Sequence, residues 1–189
     1  IWIGTRNGLA KYNQRTDNFT GYISEGTSFG RPACNEIISL MESSQGVLWA
    51  GTWYGGLARF NKETGQFRYY FGEGDTLTIP RIRTLFQRTA NSFYLGSDDG
   101  LYTFNTTTGE CLPTDDEQNK ESIYACYQDR EGGIWIGTYF SGVSYLSPKH
   151  KDIEWYYPNG TENSLSGNVI SQFCEDPDGN IWIVTEDGG

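Results

Sequence analysis

The chain has 189 residues, a net charge of −10, 24 glycines and 15% aromatic side chains. That length supports a sizeable core. The spread-out acidity excludes a nucleic-acid partner for this segment, because phosphate neutralisation needs clustered Lys and Arg. No apolar run approaches the roughly 18 residues of a membrane span, so no membrane contact is expected of this segment.

The chain opens on Ile1-Trp2-Ile3-Gly4-Thr5. It lacks the basic start and cleavage motif of a signal peptide and reads as the middle of a strand. Nearly the same stretch returns as Leu48-Trp49-Ala50-Gly51-Thr52, Phe93-Tyr94-Leu95-Gly96-Ser97, Ile134-Trp135-Ile136-Gly137-Thr138 and Ile181-Trp182-Ile183-Val184-Thr185. The central aromatics are 47, 45, 41 and 47 residues apart, and a period of that size marks a repeat protein.

One whole unit runs from Asn35. Asn35 to Glu42 has strand length, Ser43-Ser44-Gln45-Gly46 is a turn, and Val47 to Thr52 is a second strand. Trp53-Tyr54-Gly55-Gly56 is a loop, Leu57 to Asn61 a third strand, Lys62-Glu63-Thr64-Gly65 a turn, and Gln66 to Phe71 a fourth strand. Four strands in about 45 residues is the content of one β-propeller blade. In the other copies Ile37, Ile82, Ile123 and Ile170 each stand twelve residues before the central aromatic, in a first strand. Gly8, Gly56, Gly100 and Gly142 stand six or seven after it, where a tight loop needs positive φ. The aromatic is the natural filler between blades.

The predicted fold is therefore all-β: four-stranded antiparallel blades forming part of a larger propeller. The predicted boundaries are a partial blade at 1–34, blades at 35–79, 80–120 and 121–167, and a partial blade at 168–189. Glu186-Asp187-Gly188-Gly189 stops where the other copies continue, so a piece of a longer chain is expected.

Few chemical motifs interrupt this pattern. Cys34, Cys111, Cys126 and Cys174 fall at non-equivalent places with no C-x-x-C. They read as small buried or half-buried thiols, neither a disulfide framework nor a zinc site. The sole histidine, His150, falls in a third-to-fourth-strand turn and reads as a surface residue. No metal, cofactor or Ser-His-Asp arrangement is expected. Asp98-Asp99 and Asp115-Asp116 are sequence neighbours, whereas glycosidase chemistry needs carboxylates facing each other about 5–9 Å apart, so solvated turns are expected there. Asn18, Asn105 and Asn159 head glycosylation sequons, which matter only where secreted proteins are glycosylated.

Gln128-Asp129-Arg130-Glu131-Gly132-Gly133-Ile134-Trp135-Ile136-Gly137-Thr138 combines an acidic strand end with Gly-x-Ile-Trp-Ile-Gly-Thr, and Glu175-Asp176-Pro177-Asp178-Gly179-Asn180-Ile181-Trp182-Ile183 repeats most of it. Asn163-Ser164-Leu165-Ser166-Gly167-Asn168-Val169-Ile170-Ser171 leads into a first strand in the same style. These residues resemble the two-component regulator propeller repeat, the extracytoplasmic sensor region of hybrid histidine kinases common in gut Bacteroidetes. The third copy departs: Phe93-Tyr94-Leu95-Gly96-Ser97 lacks Trp, and Thr89-Ala90-Asn91-Ser92 lacks the turn Gly.

The resemblance implies a non-catalytic, periplasmic ligand sensor, the ectodomain of an inner-membrane protein. Its ligand would be a glycan or oligosaccharide. Its partners would be further blades and a kinase of the same chain, with the full-length protein a homodimer. Second-to-third-strand loops and blade-to-blade connections share one face and vary between copies. Aromatic rings beside charged groups suit a sugar, whose apolar face stacks while its hydroxyls take hydrogen bonds. On that ground Trp53, Tyr54, Tyr139 and Phe140 are the candidate ligand-binding rings, with Arg6, Asp98 and Arg31 as polar partners. Two other readings compete, a propeller enzyme acting on polysaccharide and a protein-docking propeller. The sialidase pattern Ser-x-Asp-x-Gly-x-Thr-Trp fails at Pro177, which stands where its Asp should be.

Overall fold

A computed structural model describes residues 1–24, 27–28, 31–32, 35–72, 75–114, 120–149 and 153–188, of which 27–28 and 31–32 by backbone alone. Cys34, Asp115, Asp116, His150 and the side chain of Arg31 lie outside the described residues.

The first sheet has three strands, β1 (Trp2–Thr5), β2 (Gly8–Asn13) and β3 (Asn18–Tyr22). The connector after it holds a short ladder, β4 (Thr27–Ser28) with β5 (Arg31–Pro32). Three complete antiparallel meanders follow. They are β6 (Ile37–Glu42), β7 (Leu48–Thr52), β8 (Leu57–Phe60) and β9 (Phe67–Tyr70); β10 (Thr84–Thr89), β11 (Ser92–Ser97), β12 (Gly100–Asn105) and β13 (Cys111–Pro113); and β14 (Ile123–Gln128), β15 (Ile134–Thr138), β16 (Val143–Leu146) and β17 (Ile153–Tyr156). The last sheet pairs β18 (Ile170–Glu175) with β19 (Ile181–Thr185). Among the described residues no helix is long and apolar enough to cross a membrane.

The sheets stack face to face, each joined to the next by its own apolar cluster. First strands touch in the order β6, β10, β14, β18, so they form the inner edge of the array. The motif aromatics do the predicted filling. Trp2 meets Phe60 of the second sheet at 5.3 Å, Trp49 meets Phe93 and Phe104 of the third at 5.3 and 5.7 Å, and Trp135 reaches Phe173 of the last at 6.4 Å. Trp182, with no sheet beyond it here, is 62% exposed.

The motif glycine has a packing reason. A Cβ added to Gly4, Gly96 or Gly137 would sit 2.6, 2.7 or 2.5 Å from Cγ2 of Ile37, Ile123 or Ile170, in each case the first-strand isoleucine of the next sheet. At Gly51 it would sit 2.2 Å from the carbonyl oxygen of Ile82. Close approach at the inner edge therefore demands a missing side chain on one sheet and a branched one on its neighbour. Val184 holds this position in the fifth copy and is 49% exposed.

The acidic residue at the first-strand end orients the indole. Asp129 accepts hydrogen bonds from the Gly133 amide (2.8 Å) and Trp135 Nε1 (2.9 Å). Asp176 accepts from the Asn180 amide (2.9 Å) and Trp182 Nε1 (3.0 Å), and bonds from Asn180 and Trp182 hold its carboxyl down at about 2.

Two expectations are corrected. Ile82 does not lie within a strand: β10 starts at Thr84, and Ile82 packs, fully buried, in the link before it. The thiols are not all buried. Cys111 and Cys126 are half-buried and pushed up to about 12 by burial, but Cys174 is exposed; these three are free.

Candidate functional site: an aromatic and arginine cluster on the loop face

The last motif residue fastens the loop that follows it. Thr52, Ser97 and Thr138 are buried, and their hydroxyls donate to the carbonyls of Gly56 (2.9 Å), Gly100 (3.1 Å) and Gly142 (2.9 Å). The same oxygens accept the amides of Gly55, Asp99 and Ser141. Main-chain bonds from Trp53 to Glu36 (3.0 Å) and from Tyr139 to Ser122 (3.0 Å) tie two of these loops to the start of their own first strands. In the sheet between them the Arg83 amide donates to the carbonyl of Gly96 (2.8 Å). The three second-to-third-strand loops are thus fastened to their own sheets, and they carry Trp53-Tyr54, Asp98 and Tyr139-Phe140.

A second device supplies the neighbouring side chains. Pairing slips one residue between Ile37 and Ser39, Ile123 and Ala125, and Ile170 and Gln172, leaving Ile38, Tyr124 and Ser171 as unpaired bulge residues. Arg83 holds the equivalent place before β10. A bulge re-aims the side chain of its extra residue. The position therefore varies freely in chemistry: Ile38 and Ser171 occupy it in the outer units, whereas the two middle units present Arg83 and Tyr124.

These residues meet in one cluster spanning three sheets. Asp98 receives hydrogen bonds from Arg83 Nε and Ser122 Oγ (3.2 Å) on Oδ1, and from Arg81 Nη1 (2.8 Å) on Oδ2. The Arg81 guanidinium lies over Trp53 at 4.6 Å and Tyr54 at 5.6 Å; that of Arg83 lies over Tyr124 at 4.1 Å and Trp53 at 5.5 Å. Tyr124 stacks on Tyr139 at 4.8 Å, and Tyr139 meets Phe140 edge-on at 4.2 Å. The order Tyr54, Arg81, Trp53, Arg83, Tyr124, Tyr139, Phe140 is a continuous ladder of rings and cations, in which each guanidinium is drawn to the ring faces beside it.

The electrostatics follow from these contacts. Burial alone would raise the Asp98 carboxyl, but the bonds from Arg83 and Arg81 outweigh it and hold it below the ordinary range. The bond with Tyr54, then that with Asp98, raises Arg81, and the same Arg81 bond lowers the Tyr54 phenol. Asp98 is therefore a fixed anion at neutral pH, unsuited to act as a general acid.

The cluster gathers five of the seven sequence candidates: Trp53, Tyr54, Asp98, Tyr139 and Phe140. Asp98 is not the solvated turn residue expected from its sequence neighbours, since its side chain is only 22% exposed. Trp53 and Tyr139 are half-buried, with ring faces taken by guanidinium and by Tyr124; Tyr54 and Phe140 are the open rings, 60% and 67% exposed. Arg6 stands apart, its side chain 94% exposed and 3.5 Å from Glu36. Sequence reading missed Arg81, Arg83, Ser122 and Tyr124. The signal for Arg83 and Tyr124 was the unlikeness of Ile38, Arg83, Tyr124 and Ser171, each one position after an isoleucine that all four copies keep. Among the described residues no group of three or more His, Cys, Asp or Glu is placed to hold a metal ion.

Comparison with known proteins agrees with this architecture. The two component regulator propeller family matches residues 32–54, 117–140 and 164–187, each match running through a first strand, a turn and a second strand into the loop beyond. No curated protein sequence matches the chain. Among solved structures, the extracellular domain of a hybrid two component system from B. thetaiotaomicron superposes with a TM-score of 0.80 at 23% identity. It is matched over 99% of this chain and 25% of its own length. A second such domain from that organism gives 0.63 at 21% identity, over 100% of this chain and 31% of its own. Virginiamycin B lyase from Staphylococcus aureus gives 0.69 at 11% identity, over 99% of this chain and 59% of its own, so the same fold also houses an enzyme. The chain thus spans a quarter to a third of the extracellular domains it resembles. With three matched repeats set in an array of like sheets, the chain carries the two component regulator propeller repeat.

Proposed function

We propose that this chain is a non-catalytic ligand-sensing segment of an extracytoplasmic sensor in a hybrid two-component system, and that it recognises a glycan on its loop face. The observation that carries the reading is the ladder on that face, with Tyr54 at one end and Phe140 at the other both open to solvent. An exposed ring beside fixed polar groups is what a pyranose needs: the ring takes the apolar face, and Asp98, Arg81 and Ser122 offer partners to hydroxyls. The repeat family and the kind of extracellular domain that shares this fold support the sensing role. In this reading the segment is periplasmic, further blades and the kinase belong to the same polypeptide, and the full-length protein is a homodimer. A ligand would signal by binding one conformation better than another.

The test is a glycan array screen of the intact protein followed by titration of the strongest hit. Tyr54→Ala and Phe140→Ala should each weaken that hit roughly tenfold, since each removes an aromatic anchor. Affinity unchanged in both variants would take the site off this face.

A further inference from the structure

We propose that the ligand carries an acidic group, a carboxylate or a sulfate, and that Arg81 is the residue that reads it. The inference rests on the glycan reading above and narrows its ligand to acidic saccharides.

Two guanidinium groups converge on one carboxylate at the centre of the cluster, in a chain whose net charge is −10. The two arginines are not equivalent. Arg83 has a side chain only 18% exposed, lies between Tyr124 and Trp53, and shares Asp98 Oδ1 with Ser122; it belongs to the framework. Arg81 is 34% exposed and holds Asp98 Oδ2. It spends few of its five donors on Asp98 and Tyr54, and a guanidinium edge so left is matched to a planar carboxylate or to two sulfate oxygens.

The backbone supplies an independent observation. Arg81 has φ of +48°, a left-handed conformation that strains a non-glycine residue and gathers at ligand clamps. That conformation sets the guanidinium over Trp53 and Tyr54, beside an exposed ring. An extended backbone at this point would aim it elsewhere. A sugar stacked on Tyr54 would therefore present its ring substituents to Arg81, where an acidic group gains a charge-assisted pair in a half-desolvated setting. Glu186, whose charge is felt at Tyr124, lies toward the other end of the ladder, and Glu36, felt at Tyr54, is itself paired with Arg6 at 3.5 Å. The guanidinium of Arg81 beside Tyr54 therefore places the acidic substituent at that end.

The experiment titrates the intact protein with uronic-acid oligosaccharides, sulfated oligosaccharides that lack carboxylates, and the neutral counterparts of both. At least one acidic class should bind roughly tenfold or more tightly than its neutral counterpart, with an affinity that falls as salt rises. Whichever class binds identifies the group. Arg81→Gln, which removes the charge and leaves the backbone strain in place, should abolish that preference. Arg81→Lys should recover part of it, because the charge returns without the fork. Unchanged near-ultraviolet dichroism would show that both variants fold. Neutral sugars binding as tightly as acidic ones, or an Arg81→Gln affinity within twofold of wild type, would overturn the acidic-ligand inference and leave the glycan reading standing. Binding by none of the three classes would overturn the glycan reading itself.

Discussion

Replacing Trp49 with alanine is expected to cost about 3–5 kcal/mol of stability, the range for removing a fully buried large aromatic. Trp49 is 4% exposed and touches Phe93 and Phe104 of the next sheet, with Tyr70 of its own sheet at 5.9 Å. The loss includes both the transfer of the indole and the cavity left between the two sheets. Trp182 holds the same motif position but is 62% exposed, so Trp182→Ala should change stability by only about 0.5 kcal/mol where no further sheet covers it. Urea-unfolding midpoints of the two variants decide the matter. A repeat array need not unfold in one step, so hydrogen exchange on β7 and β11 should accompany them. A Trp49→Ala loss below about 1 kcal/mol would contradict inter-sheet packing by the motif aromatic. A Trp182→Ala loss near that of Trp49→Ala, measured in the intact protein, would show that another blade packs against β19.

The second large effect is steric. Gly137→Ala should destabilise by about 1–3 kcal/mol or more, as overpacking of a close-packed interior does. The new Cβ would meet Ile170 Cγ2 at 2.5 Å, Ile170 Cβ at 2.9 Å and Phe173 Cε2 at 3.2 Å, so the whole inner edge of the last sheet would have to move. Gly137 has no positive φ, and the cost is therefore one of space alone. Gly21→Ala in β3 is the control: nothing lies within 4 Å of its added Cβ, and its backbone suits any residue. That variant should be neutral or slightly stabilising. Combining Gly137→Ala with Ile170→Ala should cost less than the sum of the two, because the second change removes Cγ2, the nearest of the atoms the first one strikes, though Cβ stays. Simple additivity would mean that the two sheets do not meet there.

The architecture was legible because each blade must solve the same packing problem. Trp, Gly and Thr recur at fixed offsets for three different physical reasons: filling the gap between sheets, allowing an isoleucine to approach, and fastening a loop. The spacing alone revealed the four-stranded unit, and the third copy kept its place without Trp because Tyr94 still packs with Ile123, Ile134 and Ile136. Ile82 was misplaced because a first strand and the link before it can hold the same buried isoleucine, and only pairing to the next strand distinguishes them. The site was half legible. Residues directly after the motif threonine were visible as unlike loops, so Trp53, Tyr54, Asp98, Tyr139 and Phe140 could be found. Arg81, Arg83 and Tyr124 reach the same place from blade connections and from a bulge, and no local pattern says where a bulge aims its extra residue. Ring availability was equally hidden, since Trp53 and Tyr139 look like open platforms in sequence and are covered in three dimensions.

The most direct measurement is hydrogen exchange of the intact protein with and without its saturating oligosaccharide. Exchange should slow in the loops around 53–56, 98–100 and 139–142 and in the links at 81–84 and 122–125, all on one face of successive sheets. Protection confined to the opposite-face turns at 62–65, 106–109 and 147–149 would contradict a site on that face.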